Sequence, residues 1–448
     1  MMELSSQELF ARGDNYGFNR MELYREKTRS LSLRVFNQEV DHYGIAENQG
    51  MALRALHGGK IGYAYSEKID QASMANLLEQ VQDNIRIISN SKGEIFSGSE
   101  EYQTINPYSA QLVGIKPEKK IELVKRLEQA AFNRDERVAT VNYCLYSDLE
   151  IEKEIKNSMG LELNYANNLA YLYLSVVAKE GEEIRTGSHF MLTQDFSEFD
   201  VVKIANQAVD EAVSLFGASS LPSGNYPVIL RYDVIADLLA TFATTLSAES
   251  VQKGLSLFQG KLDQAVAAEN VTIVDDPFFS GGAMTAPFDA EGVATRKKKV
   301  IEQGRLTTYL HNLKTARQDG VESTGNAFRG SYKGFIDIAP TNMYIEPGDI
   351  AYQELIASLE RGIVIINVQG LHSGANPVSG DFSLGAYGYL VEDGKIIRPV
   401  DQITIAGNFL EVLKRIELVG DDFVMSLPGA GHFGAPSVMI KKLAVAGE

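Results

Sequence analysis

The chain has a single cysteine, Cys144, among 448 residues, so no disulfide can form within it. This cysteine lies in an alternating stretch, residues 141–145, which favours a packed side chain over a reactive one. Long apolar runs are also missing, since runs such as residues 363–366 are far shorter than the roughly 20 residues that span a bilayer. Met1-Met2-Glu3 leads into polar residues, unlike a secretory signal. We therefore expect a soluble, cytoplasmic protein that does not bind a membrane.

Basic residues are in the minority. Lysine and arginine number 42 against 59 acidic residues, which gives a net charge of −17 and a sequence pI near 5.0. Such a surface repels phosphate backbones, so nucleic acid is not an expected partner. The one basic run, residues 296–299, is more typical of a solvated strand than of a nucleic-acid groove.

Length and a hydrophobic content of 44% allow two or three packed cores. The predicted fold class is α+β, with two mixed strand and helix units at the N-terminal side and a larger, β-rich α+β domain at the C-terminal side. The predicted bounds of these three parts are residues 1–104, 117–217 and 227–448. Residues 102–116 and 218–227 are interpreted as linkers.

Local patterns predict elements within each part. The first unit has strands over 20–65, with a hairpin turn at His57-Gly58-Gly59-Lys60, and a helix over 71–89. In the second unit, a helix over 117–133 precedes a meander of five strands between 138 and 193 and a helix over 199–216. For the third part, the pattern predicts helices at 233–248, 308–316, 351–359 and 408–416, and hairpins at 300–306 and 390–396.

Glycine is dense between residues 370 and 388, where five of nineteen positions carry it. Glycine permits positive φ and close backbone approach, and the Asn376-Pro377 and Ser379-Gly380-Asp381 sequences are typical of turns. A second glycine loop occupies residues 429–434. Exposed backbone of this kind can hold an extended peptide by strand addition. The predicted peptide-binding residues are Asn376, Ser379, Gly380, Asp381, Gly429, Gly431 and His432.

Longer motifs carry a resemblance to a known family. SGDFSLGAYGYLVEDGKI over residues 379–396, ITIAGN over 403–408 and VGDD over 419–422 resemble the signature of the TldD/PmbA family. Upstream, Pro287-Phe288-Asp289 and Ser323-Thr324-Gly325-Asn326 match in family order. Proteins of this family were once described as modulators of DNA gyrase and are now grouped with metallopeptidases. The resemblance covers residues 227–448 most specifically.

The zinc-bearing branch of that family carries a His-Glu-x-x-x-His motif on a helix soon after the first strand of its C-terminal domain. The corresponding segment here, residues 233–245, has no histidine. Aligning Leu238-Leu239 with the family's apolar pair places Ala240, Thr241 and Thr245 at the ligand and base positions. The family's cysteine near the C-terminus is also missing from residues 428–434. The sequence thus resembles the PmbA/TldE branch, with no metal and no catalytic residue predicted in this chain.

The resemblance implies a cytoplasmic heterodimer in which a TldD-like chain holds the zinc and cleaves unfolded or short peptides. This chain would add chamber wall and peptide-binding surface. Two alternatives stay open: a homo-oligomeric peptide-binding module that forms a homodimer when alone, and a modulator of DNA gyrase.

Other motifs support catalysis poorly. Residues 429–434 match G-x-G-x-x-G, but only fourteen residues follow, too few for a dinucleotide-binding unit. The sequence Gly370-Leu371-His372-Ser373-Gly374 misplaces the serine for a nucleophile elbow. Asp289, Glu291 and Asp381 could act as acids or bases, although capping of turns and pairing with nearby cations is the favoured interpretation. The six histidines, His42, His57, His189, His311, His372 and His432, include no short ligand pair.

Overall fold

The computed structural model describes residues 5–87, 95 and 101–448. Its helices are α1 (Ser6–Asp14), α2 (Gln71–Ile87), α3 (Ala110–Val113), α4 (Pro117–Arg134), α5 (Val201–Ser214), α6 (Tyr232–Phe242), α7 (Ala248–Gln252), α8 (Leu313–Asp319), α9 (Tyr352–Ala357), α10 (Leu371–Gly374) and α11 (Phe409–Lys414), with 3₁₀ turns at Phe196–Glu198 and Ala243–Leu246. No helix within these ranges is both long and apolar enough to cross a membrane.

Within the described residues, the strands form three sheets of six strands and one short pair, β11 with β12. They are β1 (Arg20–Phe36), β2 (Glu39–His57), β3 (Lys60–Ser66), β4 (Val138–Asn157), β5 (Glu162–Glu180), β6 (Glu183–Thr193), β7 (Gly224–Leu230), β8 (Ile273–Asp275), β9 (Lys298–Glu302), β10 (Arg305–Leu306), β11 (Ala327–Phe328), β12 (Asp337–Ile338), β13 (Asn342–Ile345), β14 (Arg361–Gln369), β15 (Asp381–Glu392), β16 (Lys395–Asn408), β17 (Ile416–Val419), β18 (Val424–Met425), β19 (His432–Ala435) and β20 (Val438–Ala446). The α+β fold class is confirmed, with a sheet-rich C-terminal part.

The first sheet is antiparallel and runs β3-β2-β1-β4-β5-β6. The β1–β4 pairing, from Glu22 opposite Asn157 to Arg34 opposite Leu145, makes it continuous across the two predicted N-terminal units. Helices cover two hydrophobic clusters on it: one gathers α1 and α2 over β1 to β3, and the other gathers α4 and α5 over β1, β4 and β5. A smaller cluster joins Tyr24, Ala52 and Ile155 of the sheet to Phe288 and Tyr332. Among the described residues, this sheet thus contributes to three clusters.

The predicted five-strand meander is wrong in its divisions. β4 is a single strand of 20 residues and β5 a single strand of 19. The breaks were predicted at polar residues, but in the structure these side chains find partners outside the sheet. Asp148 bonds Lys120 Nζ at 2.5 Å, and the Asn168 side chain bonds backbone atoms of Ser109. Buried partners therefore let polar residues continue a strand.

Helix bounds in the C-terminal part also differ from prediction. The predicted helix 233–248 is α6 followed by a 3₁₀ turn and then α7, which begins after the Ser247 cap. The predicted helix 308–316 begins late, at Leu313, because the Asn312 side chain accepts from Thr315 N and caps it there. The predicted helix 71–89 extends at least to Ile87, and residues 88–89 lie outside the described residues.

The predicted hairpin turns are confirmed, since His57 pairs with Lys60, Glu302 with Arg305 and Glu392 with Lys395. The glycine-rich segment is more ordered than predicted, because Gly385 and Gly388 lie in β15. A Cβ atom at Gly388 would meet Val364 O at 1.8 Å, so this glycine permits close strand packing.

The C-terminal part packs its two six-stranded sheets around α6. Their orders are β10-β9-β8-β13-β19-β18 and β16-β15-β14-β7-β20-β17, with parallel pairs β13–β19 and β14–β7. The apolar side of α6 lies in the shared core, where the Phe242 and Phe409 rings stack at 4.6 Å. The opposite side of α6 faces a cleft.

Candidate functional site

A cleft of about 1350 Å³ lies between the first sheet and the C-terminal part. A second depression of about 900 Å³ continues it, and the two share His189, Phe190, Tyr232 and Asp422 in their walls. Together they make one long groove bordered by α5, α6, β6 and β18. This size suits an extended peptide better than a small cofactor.

Two sheet edges border the groove. β6 is the last strand of the first sheet and β18 the last strand of the second, so each has a neighbour on one side only among the described strands. Residues 188–193 of β6 line the groove consecutively, and so do Val424 and Met425, the two residues of β18. Because alternate side chains of a strand point to opposite faces, consecutive lining indicates that the strand edge borders the groove. Edges of this kind offer N–H and C=O groups to an added strand.

Helix α6 forms the floor of the cleft. The lining residues of α6 recur at the spacing of one helical face: Tyr232, Asp233, Ala236, Asp237 and Ala240. Ala243 and Thr244 of the 3₁₀ turn that follows continue the floor. The alanines are small, so this face leaves room above it. None of these side chains was selected from the sequence as a binding residue, although Ala240 was placed at a ligand position.

The positions aligned with the zinc motif do not fit a zinc ion. Zinc takes sulfur, imidazole nitrogen or carboxylate oxygen in proteins. Ala240 has none of these atoms, while the Thr241 and Thr245 hydroxyls donate to Asp237 O at 2.8 Å and Phe242 O at 2.6 Å. Across the described residues, no three His, Cys, Asp or Glu side chains are grouped so that they could hold a metal.

An arginine anchors the start of α6. Arg231 donates to Glu211 of α5 at 2.7 Å, to both oxygens of Asp233, and to Ile366 O of β14 at 2.9 Å. Burial raises the pKa of Glu211, against the opposing effect of the Arg231 charge. This network fixes α6 against α5 and β14, so the groove has a rigid floor.

Two titratable side chains in the cleft stay without hydrogen-bond partners among the described residues. The carboxyl group of Asp237 is reached by water, yet the cleft walls desolvate it, and together with Asp233 this raises its pKa to about 6. The pKa of His189 is lowered to about 4, first by burial and then by the positive charge of Arg231. At neutral pH the cleft therefore presents a charged Asp237 and a neutral His189.

The second predicted glycine loop meets this cleft only in part. Gly429 lines it, whereas His432 is fully buried. The Nδ1 atom of His432 accepts from Ala283 N at 3.0 Å and its Nε2 atom donates to Ser426 O at 2.9 Å. Both ring nitrogens are thus engaged, and burial lowers the pKa of this histidine to about 4. Gly431, at φ 145°, lets the chain turn between Gly429 and the buried ring.

The first predicted loop lies elsewhere. Asn376, Ser379, Gly380 and Asp381 form a turn in which Gly380 O accepts from Phe409 N at 2.8 Å and Asp381 accepts from the Asn408 amide at 2.9 Å. Asp381 begins β15, whereas Tyr389 of the same strand lines the cleft, eight residues and about 26 Å away. The structure does not bring the two predicted loops together, and the first one caps α11.

The remaining candidates are structural. Asp289 accepts from the backbone N–H groups of Glu291, Val293 and Ala327, and Glu291 pairs with Arg54 at 3.2 Å. A strand, not a helix, follows the G-x-G-x-x-G loop, which removes the dinucleotide interpretation. Every member of the basic run is ion-paired: Arg296 with Glu322, Lys297 with Asp276, Lys298 with Asp275 and Lys299 with Glu302.

Comparison with known proteins gives consistent matches along the chain. Family models described as PmbA/TldA metallopeptidase domain 1, central domain and C-terminal domain match residues 21–85, 112–216 and 223–447. The TldD homolog of Haemophilus influenzae, named a metalloprotease, is 31% identical over 86% of this chain and 82% of its own length. The metalloprotease PmbA of Escherichia coli O157:H7 is 24% identical over 94% of this chain and 91% of its own.

Solved structures match over nearly the whole chain. A Thermotoga maritima protein described as a candidate modulator of a DNA gyrase is 36% identical, with a TM-score of 0.90 and 98% of both chains covered. TldE of Thermococcus kodakarensis also gives a TM-score of 0.90, over 98% of this chain and 99% of that one. At 24% identity, the second match speaks for the fold alone.

Proposed function

The chain belongs to the PmbA/TldD metallopeptidase family, and we propose that it is the subunit without zinc of a two-chain peptidase. The observation that carries the proposal is the floor of the cleft. The helix that bears the zinc motif in the other branch has alanine and threonine at the aligned positions here, and both threonine hydroxyls bond backbone carbonyls. The sequence identity of this chain to a TldD homolog, 31%, is higher than its identity to PmbA, 24%. The proposal therefore rests on the side chains of this helix and not on overall sequence identity.

In this proposal a TldD-like chain supplies the zinc ion and the general base. This chain supplies one wall of a chamber and the groove between β6 and β18. An unfolded or short peptide would add to a strand edge through backbone hydrogen bonds, which demand little of its sequence. Folded proteins would be excluded because they present no free extended segment. The natural setting of such a complex is the cytoplasm.

The groove replaces the glycine turn around Gly380 as the proposed peptide-binding surface. Gly429 remains part of it, because this residue lines the cleft beside Met425. Asn376, Ser379 and Asp381 are engaged in capping β15 and α11, and we assign them a positioning role only.

The test is reconstitution with a TldD-like chain from the same organism. We expect negligible cleavage of an unstructured fluorogenic peptide by this chain alone with added zinc. Chelator-sensitive cleavage should appear, or rise severalfold over that of the partner alone, when both chains are mixed and co-elute. Turnover by this chain alone that a chelator abolishes would contradict the proposal.

Experiments on the same purified chains also distinguish two alternative functions. A homo-oligomeric peptide-binding module would form a stable homodimer that binds peptide and ignores the TldD-like chain. A modulator of DNA gyrase, as the Thermotoga relative is described, would alter supercoiling by purified gyrase. The acidic net charge of −17 makes direct DNA contact unfavourable at physiological salt.

A further inference from the structure

A buried guanidinium outside the groove forms no hydrogen bond within the described part of the chain. Arg329 follows β11, and its side chain is 0% exposed. Its Nε, Nη1 and Nη2 atoms have no hydrogen-bond partner among the residues that the structure describes. A guanidinium carries five N–H donors, and buried donors without acceptors are costly. Such a group points to an acceptor that the polypeptide itself does not provide.

The carboxylates nearby do not fill these donors. Glu22 Oε1 lies 3.6 Å from Arg329 Nη2, too long for a hydrogen bond, and 3.4 Å from Arg54 Nε, and this oxygen has no hydrogen-bond partner among the described residues. Glu26 accepts from the Tyr24 hydroxyl at 2.6 Å. The guanidinium itself stacks over the Tyr24 ring, with 4.4 Å between its carbon and the ring centroid. Charge attraction therefore holds Arg329 in place without filling its donors.

Arg329 lines a cavity of about 90 Å³ where the face of the first sheet meets the C-terminal part. A second cation, Lys153 of β4, lines the same cavity and forms no ion pair with any residue in the described ranges. Asp289 also lines it, but both its oxygens accept backbone N–H groups, and burial together with Glu291 raises its pKa. Among the described residues that line it, the cavity thus has free donors from two cations and no free carboxylate.

The volume limits what could fit. Liquid water takes about 30 Å³ per molecule, so the cavity has space for about three waters or one small oxyanion. A peptide segment is too large. Small oxyanions present several acceptor oxygens at once, which matches the fork of an arginine and the ammonium group of a lysine.

We propose that this cavity is a binding site for one small oxyanion, of the phosphate, sulfate or free carboxylate class, held between Arg329 and Lys153. Lys153 belongs to the first sheet and Arg329 to the C-terminal part. A bound oxyanion therefore ties the two together at the same junction where Arg54 pairs with Glu22 and Glu291.

The test is calorimetric titration of the full chain with sulfate, phosphate and acetate in a chloride buffer of constant ionic strength. We expect one saturable site, and comparison of the three anions identifies the preferred geometry. Lys153→Met should weaken binding about tenfold or more, because it removes a charge-assisted bond. Lys299→Met is the matched control, since Lys299 is an exposed lysine paired with Glu302, and it should bind as the parent chain does.

Arg329→Met should abolish binding, and if this variant fails to fold, the Lys153 and Lys299 pair decides the outcome alone. Crystals soaked in selenate should give an anomalous peak beside the Arg329 guanidinium. Absence of a saturable site in the parent chain, or ordered waters alone in the cavity of a selenate-soaked crystal, would overturn the proposal. If the Lys153 and Lys299 variants bind the anion with equal affinity, the parent chain holds an adventitious ion only. This result would also overturn the proposal.

Discussion

On helix α6, side-chain size and charge determine what the cleft can bind. Ala236 and Ala240 leave space above the helix, and Asp237 lies between them with a carboxylate that has no partner in the part of the chain that the structure describes. Its pKa near 6 follows from desolvation by the cleft walls and from Asp233 one turn earlier. The sequence did not indicate Asp237, because an aspartate on the polar side of an amphipathic helix usually faces bulk solvent.

Asp237 predicts a pH-dependent affinity for cationic peptides. A raised pKa means that the carboxylate is charged above about pH 6 and neutral below it, so capture of a lysine-containing peptide should weaken as pH falls from 7.5 to 5. His189 does not contribute in this window, because its pKa is near 4. Fluorescence anisotropy with a labelled, unstructured lysine-rich peptide measures the effect.

Asp237→Asn should weaken binding severalfold at pH 7.5 and flatten the pH profile. Glu162→Gln is the control, since Glu162 is an exposed carboxylate of β5 that does not line the groove. Identical profiles for the parent chain and Asp237→Asn would show that this carboxylate does not face the bound peptide.

Elements whose conformation is determined by neighbouring residues could be predicted from the sequence. The turn at Gly58-Gly59 and the Asp393-Gly394 turn are set by neighbouring residues, and each lies where the sequence places it. The groove was not predictable, because β6 and β18 come together from residues more than 200 positions apart. Their edges carry no side-chain signature, since backbone atoms form them. His432 shows the same limit, because only the fold reveals that Ala283 N and Ser426 O occupy its ring nitrogens.

The edge of β18 gives a test of strand addition. Ser426 N donates to Phe433 O of β19 at 2.7 Å, so the alternation of the strand directs Met425 N to the opposite edge, toward the groove. Met425→Pro removes that one donor, and proline is tolerated on edge strands. Peptide affinity should fall about fivefold, which corresponds to one hydrogen bond of ~1 kcal/mol.

Met425→Ala is the matched control, because it removes the side chain and keeps the N–H group. Binding to the alanine variant should stay closer to that of the parent chain. If the two variants lose affinity equally, the side chain and not the backbone donor holds the peptide.

At the scale of the whole molecule, the first sheet and the C-terminal part are joined by buried charges. Arg54 of β2 lies 3.4 Å from Glu22 of β1 and 3.2 Å from Glu291, which follows the Pro287-Phe288-Asp289 motif. All three side chains are at most 7% exposed. The sequence showed the charged residues but not the pairings, because Glu22 and Arg54 face each other only through the register of β1 with β2, and Glu291 comes from a different layer.

Replacing Arg54 by methionine should therefore destabilise the whole chain. It leaves Glu291 buried without its cation, while Glu22 keeps only Arg329 at 3.6 Å, and the expected loss in free energy of unfolding is about 3–5 kcal/mol. Burial already raises the pKa of Glu291 although Arg54 opposes this, so without the arginine the pKa should rise further. A raised folded-state pKa stabilises the protonated form, so the loss should be smaller at pH 5 than at pH 8. Urea unfolding at pH 5 and at pH 8 measures this loss in free energy. Arg25→Met is the control, because the Arg25–Glu154 pair is partly exposed and its atoms lie 3.6 Å apart. A loss that is the same at both pH values, or no larger than that of the control, would mean that the two parts are held by apolar contacts and that the buried charges are incidental to their junction.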